Sequence, residues 1–376
     1  MNCLQPVEGN KYRYSHIVGT GGIGSGMYFK LEGNHTIGRN ESRLGVLVPF
    51  RDYCKLHIIF HYISVLLSGD RDGFLVYPLG SVGDDDIGRK LISEMGRVGM
   101  DTHNIAIFPG GNTLFSVCYQ YPDKTGGNIT TSNSASNQIT AENIDEFFSS
   151  FNMNGKDEII LAVPEVPVSA RLRLLEYGRK RGSYNMASVL SSEVDEFSKK
   201  GGFEKIDLLS INIDEAGAIC GLKPETNTSP EIVESCVRTL RSENPDIKLV
   251  VTDGPHGSYG CNNDRIEYVP VCEVNVEGTA GAGDALLSGI ASGMCCGLPF
   301  LKGENDTYFS QTPLKSALEF GSLLATVSVT SPDSIHMEIN AKFLYDFMRG
   351  RNIELSSEYS KLFSTLEGGK VIKDEL

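Results

Sequence analysis

Gly278-Thr279-Ala280-Gly281-Ala282-Gly283-Asp284, continued by Ala285-Leu286-Leu287-Ser288-Gly289-Ile290, sets a glycine-rich turn directly ahead of an apolar run that can form a helix. Glycines at such a junction let successive backbone N–H groups converge on an oxyanion, and the helix N-terminus adds roughly half a positive charge. Asp284 at the start of the helix has an ordinary explanation as an N-cap. Capping does not call for Gly281, Ala282 and Gly283 to clear space in front of it. The turn therefore reads as a cradle for a phosphate or a transition-state anion, with a carboxylate beside it.

Strands and helices alternate on the N-terminal side of this turn. Apolar periodicity predicts strands over 159–163, 208–211 and 247–252, and helices over 169–181, 231–241 and 284–294, with a last helix over 315–327. Strands separated by helices imply parallel pairing with right-handed crossovers. Nearer the N-terminus, a short buried strand over 15–18 runs into Gly19-Thr20-Gly21-Gly22-Ile23-Gly24, a buried helix spans 56–67, and a strand returns at 75–77. The segments 28–50 and 112–137 mix polar turns with short apolar runs and read as antiparallel hairpins. The expectation is a single three-layer α/β/α domain over 1–376, with a mainly parallel central sheet and a small β lid from 29–50 and 111–137.

Composition narrows the function classes. Apolar residues make up 40% and charged residues 22% of the 376, ordinary globular usage, so disorder is excluded. No apolar run approaches the roughly 20 residues that cross a bilayer. The net charge of -14 argues against a nucleic-acid partner, which needs clustered Lys and Arg. Nine cysteines without CxxC spacing suit reduced thiols in a cytoplasmic protein. The C-terminal Lys373-Asp374-Glu375-Leu376 spells an ER-retention address, but the first residues lack a basic or apolar leader, so it is read as coincidence.

Other motifs have competing readings. Gly19-x-Gly21-x-x-Gly24, with Glu41 downstream, matches the letters of a dinucleotide fingerprint, but the glycine-flanked stretch after it makes a poor helix. A turn beside a substrate pocket is the better account than an NAD-dependent dehydrogenase. Asn212 and Glu215, an amide and a carboxylate at i and i+3 past a strand, suit either a water-mediated Mg²⁺ site or a capping box. Thr252, Gly254 and Gly257 either bring backbone close to a nucleotide or form a strand-to-hairpin turn. Gly83, Asp84 and Asp85 fix a turn and cap a helix. His57 and His61, spaced i and i+4 without a third ligand, are expected in the core or a pocket wall.

Taken together, Thr279-Ala280-Gly281-Ala282-Gly283-Asp284, Gly80-Ser81-Val82-Gly83-Asp84-Asp85-Asp86-Ile87-Gly88, Asn212-Ile213-Asp214-Glu215 and Val251-Thr252-Asp253-Gly254-Pro255-His256-Gly257 resemble, in order, the motifs of the PfkB (ribokinase-like) carbohydrate kinases. The resemblance runs from about residue 15 to 347. It implies a ribokinase-like fold and transfer of the ATP γ-phosphoryl to a hydroxyl of a sugar, nucleoside or polyol-like molecule. It further implies Asp284 as base and Gly281, Ala282 and Gly283 as the anion hole. Asn212, Thr252, Gly254, Gly257 and Thr279 would lie around the nucleotide, with Glu215 and Asn212 near Mg²⁺, and a monovalent cation and a homodimer are further expectations. Gly278 stands where the family has Asp, which leaves room for the alternative of a catalytically weak nucleotide-binding regulatory protein. On the acceptor side the Gly-Gly-Asn-type sugar motif is replaced by Lys55-Leu56-His57-Ile58-Ile59-Phe60-His61, and Asn34, Asn40 and Arg43 of the lid are the expected acceptor contacts.

Overall fold

The computed structural model describes residues 3–68, 73–123, 125–263, 265–303 and 314–367; the Lys373–Leu376 ending lies outside them. Its strands are β1 (His16–Thr20), β2 (Gly24–Leu31), β3 (Gly45–Tyr53), β4 (Leu75–Gly83), β5 (Ile105–Phe108), β6 (Leu114–Gln120) and β7 (Gly126–Thr130). Then come β8 (Glu158–Ala162), β9 (Tyr184–Ala187), β10 (Leu208–Asn212), β11 (Lys248–Thr252), β12 (Ser258–Asn262) and β13 (Arg265–Val269). The helices are α1 (Lys55–Leu67), α2 (Asp86–Arg97), α3 (Ala141–Ser150), α4 (Val168–Arg181) and α5 (Val194–Lys199), followed by α6 (Ile213–Cys220), α7 (Ser229–Glu243), α8 (Ala282–Cys295), α9 (Ala317–Ser328) and α10 (Ala341–Gly350).

The main sheet has nine strands in the order β13-β12-β11-β10-β9-β8-β1-β4-β5. All neighbours are parallel except the hairpin pairs β11–β12 and β12–β13 at one edge. Alternation along each strand sends side chains into two separate cores, as a sheet covered on both faces requires. Ile17, Ile159, Leu161 and Val250 enter the core shared with α1, α2, α8, α9 and α10. Their neighbours Val18, Ile160, Ala162 and Val251 enter the core shared with α3 through α7. The result is the expected α/β/α layering around a mainly parallel sheet.

Two sequence expectations change in detail, and a third holds. The strand expected at 75–77 continues to Gly83, because the run Pro78–Val82 is buried in the sheet. The two antiparallel hairpins, β2–β3 and β6–β7, are joined by a parallel β2–β6 pairing into one four-stranded lid sheet. After Gly24 the chain enters β2 and not a helix, so the dinucleotide fingerprint lacks its structural context. Asp85 caps α2 through the Gly88 N–H (2.7 Å) and also accepts from Thr113 N (2.7 Å), which ties the turn after β4 to the root of β6. A side chain on Gly83 would run into Gly111 O at 2.2 Å, so only glycine permits that approach.

Helices α8 and α9 cross at paired glycines. A Cβ on Gly289 would lie 2.7 Å from Gly321 Cα, and one on Gly321 would lie 2.6 Å from Leu286 O. α8 is buried from Ala285 through Cys295, so this contact and the packing of α1 on its other side hold it in place. Cys295 and Cys296 are core residues, and His57 and His61 are buried with ring centroids 6.4 Å apart. Their burial on α1 places the histidines in the core, as expected.

Candidate active site

The carboxyl ends of β9, β10 and β11 and the N-terminus of α8 enclose a cavity of about 190 Å³, room for about six waters. This is where open α/β sheets bind ligands. Ser188, Ser210, Asn212, Glu215 and Thr252 line one side, and Thr279, Gly281, Ala282, Gly283 and Asp284 the other. Asn212 and Thr252 are register partners across β10 and β11, which explains why residues 40 apart in sequence meet here.

The glycine-rich turn is built as a helix start, with one correction to the sequence reading. The N-cap is Gly281, at φ 78°, and Asp284 occupies the third helical position. Its carboxylate is thereby freed from capping. Gly281 must be glycine both for its left-handed backbone and because a Cβ would meet Ser334 O at 2.3 Å. Gly278 is held by the same loop: a Cβ there would lie 2.7 Å from Pro332 O. Gly283 is different, since a Cβ would meet nothing nearer than Thr252 Oγ1 at 3.9 Å. The protein itself does not require glycine at that position, and the space it leaves opens on the cavity. Ala282 N donates to Thr279 O (3.3 Å), while the N–H groups of Gly283 and Asp284 have no acceptor inside the helix, which makes those two donors for an anion.

Lys55, absent from the sequence-level site, is the partner of Asp284. Its Nζ lies 3.4 Å from Asp284 Oδ1. Burial pushes the Asp284 carboxyl up and Lys55 pulls it down. The Asp284 charge in turn raises the Lys55 ammonium, so the lysine stays protonated. Lys55 opens α1, where the helix dipole disfavours a cation. Glu165 completes the group: its Oε2 accepts from Lys55 N at 3.1 Å, and burial pushes its carboxyl up to about 7. Glu165 has φ 76°, an uncommon backbone conformation for a residue with a side chain. A Cβ on Gly22 would lie 2.3 Å from Glu165 Oε2, so the glycines after β1 make room for this carboxylate.

Asn212 and Glu215 form the capping box of α6, each side chain bonded to the other's backbone N–H at 2.8 Å. They line the cavity at the same time, and burial pushes the Glu215 carboxyl up. The lining reaches Thr252 but not Gly254 or Gly257. Those two, at φ 51° and 101°, shape the turn into β12, and a Cβ on Gly257 would meet Val269 O at 2.4 Å. The lid residues Asn34, Asn40 and Arg43 sit in the β2–β3 connection, at the end of the hairpin away from Cys54 and Lys55. At about 3.3 Å per residue, the eight and nine residues of β2 and β3 separate them from its root by roughly 23–26 Å. Asn34 Oδ1 accepts from Asp123 N (3.0 Å), Arg43 Nε donates to Glu41 (2.8 Å) while its guanidinium lies over Tyr121, and Asn40 is exposed.

Comparison with known proteins gives these features a family. The pfkB family carbohydrate kinase profile matches residues 69–341. The chain belongs to the pfkB family of carbohydrate kinases. Solved pfkB-type folds resemble it over nearly their whole length. A Giardia lamblia ribokinase superposes with a TM-score of 0.70 at 16% identity, covering 89% of this chain and 99% of that one. An Arabidopsis thaliana ribokinase solved with ribose and ATP gives 0.66 at 16%, with the same coverage. A Burkholderia thailandensis nucleoside kinase solved with inosine gives 0.65 at 15%, covering 90% and 99%. At such identities the likeness shows the ribokinase-like α/β fold. No curated protein matches the sequence.

Proposed function

We propose that this pfkB-family chain acts as one domain that transfers the γ-phosphoryl of ATP to a hydroxyl of a sugar, nucleoside or polyol. The observation that carries the reading is Asp284, set at the third position of α8 with its carboxylate beside Lys55 and the open N–H groups of the turn on the cavity side. Phosphoryl transfer asks a protein mainly for positioning and charge neutralisation. As an acceptor oxygen bonds to the γ-phosphorus and the bond to the ADP oxygen breaks, Asp284 takes the hydroxyl proton and passes it to solvent. The N–H groups of Gly283 and Asp284 meet the negative charge developing on the transferred group. Lys55 keeps Asp284 ionised until the acceptor arrives, and Glu165 steadies Lys55 by accepting from its backbone N–H.

Mg²⁺ would neutralise the triphosphate, and Glu215 fits it. One Glu215 oxygen is committed to Asn212 N, so the other remains for a metal-bound water. Glu215→Gln preserves the capping box, and the expected result is an unchanged melting temperature with a several-fold higher Mg²⁺ requirement for half-maximal rate. An unchanged Mg²⁺ titration would reduce Glu215 to its capping role. Asn34, Asn40 and Arg43 would reach an acceptor only from the hairpin end, and unaltered acceptor KM values in Asn40→Ala and Arg43→Ala would remove them from the site. The exposed Leu44, Val46 and Leu47 of the lid are the surface that supports a homodimer, and nine unbridged cysteines support a cytoplasmic setting. ADP release on incubation with ATP and a panel of sugars, nucleosides and polyols tests the whole reading. ATP binding with no release on any acceptor would leave the regulatory alternative.

A further inference from the structure

The root of the lid holds a carboxylate that the mechanism above does not use. Asp52 on β3 faces Gly26 on β2, which in turn faces Ser116 on β6, so the three form one row across the lid sheet. Gly26 has no side chain to separate its neighbours: a Cβ there would lie 2.6 Å from Asp52 Oδ2 and 2.4 Å from Ser116 Oγ. The two therefore meet over the middle strand, and Ser116 Oγ donates to Asp52 Oδ2 at 2.9 Å. Cys118, two residues on and on the same face, adds a weaker contact at 3.8 Å. No cation is paired with Asp52 among the described residues; burial pushes its carboxyl up, and hydrogen bonds from Ser116, Ser334, Tyr53 N and Cys118 offset that only in part. Burial remains the larger influence on this carboxylate, so with no cation beside it the group gains from a further hydrogen-bond donor.

Its position says where that donor comes from. Asp52 lies three residues before Lys55 on the strand that leads into α1, and its charge is close enough to raise the Asp284 carboxyl. Cys54, on the same face as Asp52, lies within reach of Glu165. The lid root abuts the α8 turn, since Tyr53 N donates to Ser334 Oγ (2.9 Å) and Ser334 O lies 2.3 Å from where a Cβ on Gly281 would be. Asp52 and Glu165 thus flank the cavity without lining it, and Lys55 is the only cation lining it among the described residues. A carboxylate accepts hydrogen bonds and cannot donate them.

We propose that Asp52, steadied by Ser116, is the residue that selects the acceptor, taking a hydrogen-bond donor of a neutral or cationic molecule and disfavouring acceptors that carry phosphate or carboxylate. This rests on the kinase reading of the site. Initial rates for the wild type and Asp52→Asn are measured over polyols and their deoxy analogues, amino sugars, sugar phosphates and sugar acids. The expected result is a KM at least about tenfold higher for the best wild-type acceptor, the effect of one charge-assisted hydrogen bond. The kcat changes less than threefold and the KM for ATP is constant, a split that a merely structural role for Asp52 would not produce. A loss confined to amino sugars identifies the donor as an ammonium. A loss across polyols that vanishes for one deoxy analogue identifies it as a hydroxyl. Equal acceptor KM values in the two proteins, or a sugar phosphate as the best wild-type acceptor, overturn the proposal and leave the kinase standing. Failure of the wild type to phosphorylate anything overturns both. Should Asp52→Asn not fold, Ser116→Ala is expected to raise the same KM by a smaller factor, and no rise overturns the proposal equally.

Discussion

Asp284→Asn should lower turnover on the best acceptor by about 10²–10⁴-fold, the range for loss of a positioned general base. Asparagine has nearly the same shape, and Asp284 does not cap the helix through its side chain, so the turn at Gly281 should survive the change. The KM for ATP should stay within a factor of two, because the donors facing the phosphates are backbone groups. A second consequence separates loss of the base from general damage. Removing the Asp284 charge takes away the largest influence raising the Lys55 ammonium, so a cation beside the cavity loses its partner. The single variant should therefore melt earlier than the wild type, and Asp284→Asn combined with Lys55→Met should recover melting temperature without recovering turnover. Near-normal turnover in Asp284→Asn would remove Asp284 as base.

The second large effect concerns stability in acid. His57 and His61 are buried on α1, and neither His57 nitrogen has a hydrogen-bond partner. Burial lowers His57 from 6.5 to about 3, with His61 adding repulsion, and lowers His61 to about 4. Both folded values lie below the unfolded one. The folded state is therefore fully favoured above about pH 6.5, and the unfolded chain, which protonates first, gains as pH falls toward 4 and then 3. Each unit of difference is about 1.4 kcal/mol, so by two pH units below 6.5 the pair removes on the order of 5 kcal/mol, comparable to the total stability of many domains. The wild-type urea midpoint measured against that of His57→Leu/His61→Leu should be flat from pH 8 to 6.5 and fall steeply from there to 4.5, a difference from which the opposite contribution of Glu165, raised to about 7, cancels. A difference that stays flat to pH 4.5 would assign the acid loss to other groups.

Much of the site was legible because its signals are local. Gly281, Ala282, Gly283 and Asp284 are consecutive, and Asn212 and Glu215 fall within one helical turn, so turn chemistry and spacing exposed them. The layering was legible for the same reason, since each crossover carries its own periodicity. Lys55, Glu165 and Asp52 were not. Lys55 reaches Asp284 across 229 residues of sequence, and its amide reaches Glu165 across 110. Only the tertiary fold brings the end of β8, the end of β3 and the start of α8 together. Glu165 carries its strongest mark, a positive φ, in a backbone angle that sequence does not print. Lys55 did leave a trace, as a cation opening an otherwise apolar helix against the dipole. The parallel β2–β6 pairing that makes one lid of two hairpins has no local signal either, since a register between distant strands is set by what each leaves uncovered.

The Gly289–Gly321 crossing shows how the placement of the cradle is inherited. The donors of α8 are aimed by a rigid rod whose far half rests directly on the backbone of α9. A methyl group added at either glycine would lever that rod, and a shift of about 1 Å at reacting atoms can cost on the order of 10²-fold in rate. Two residues without chemistry, one five residues past Asp284 on α8 and the other on α9, thus act as the gunsight of the site. Any search keyed to reactive side chains would pass over both, although the space at the crossing admits nothing larger.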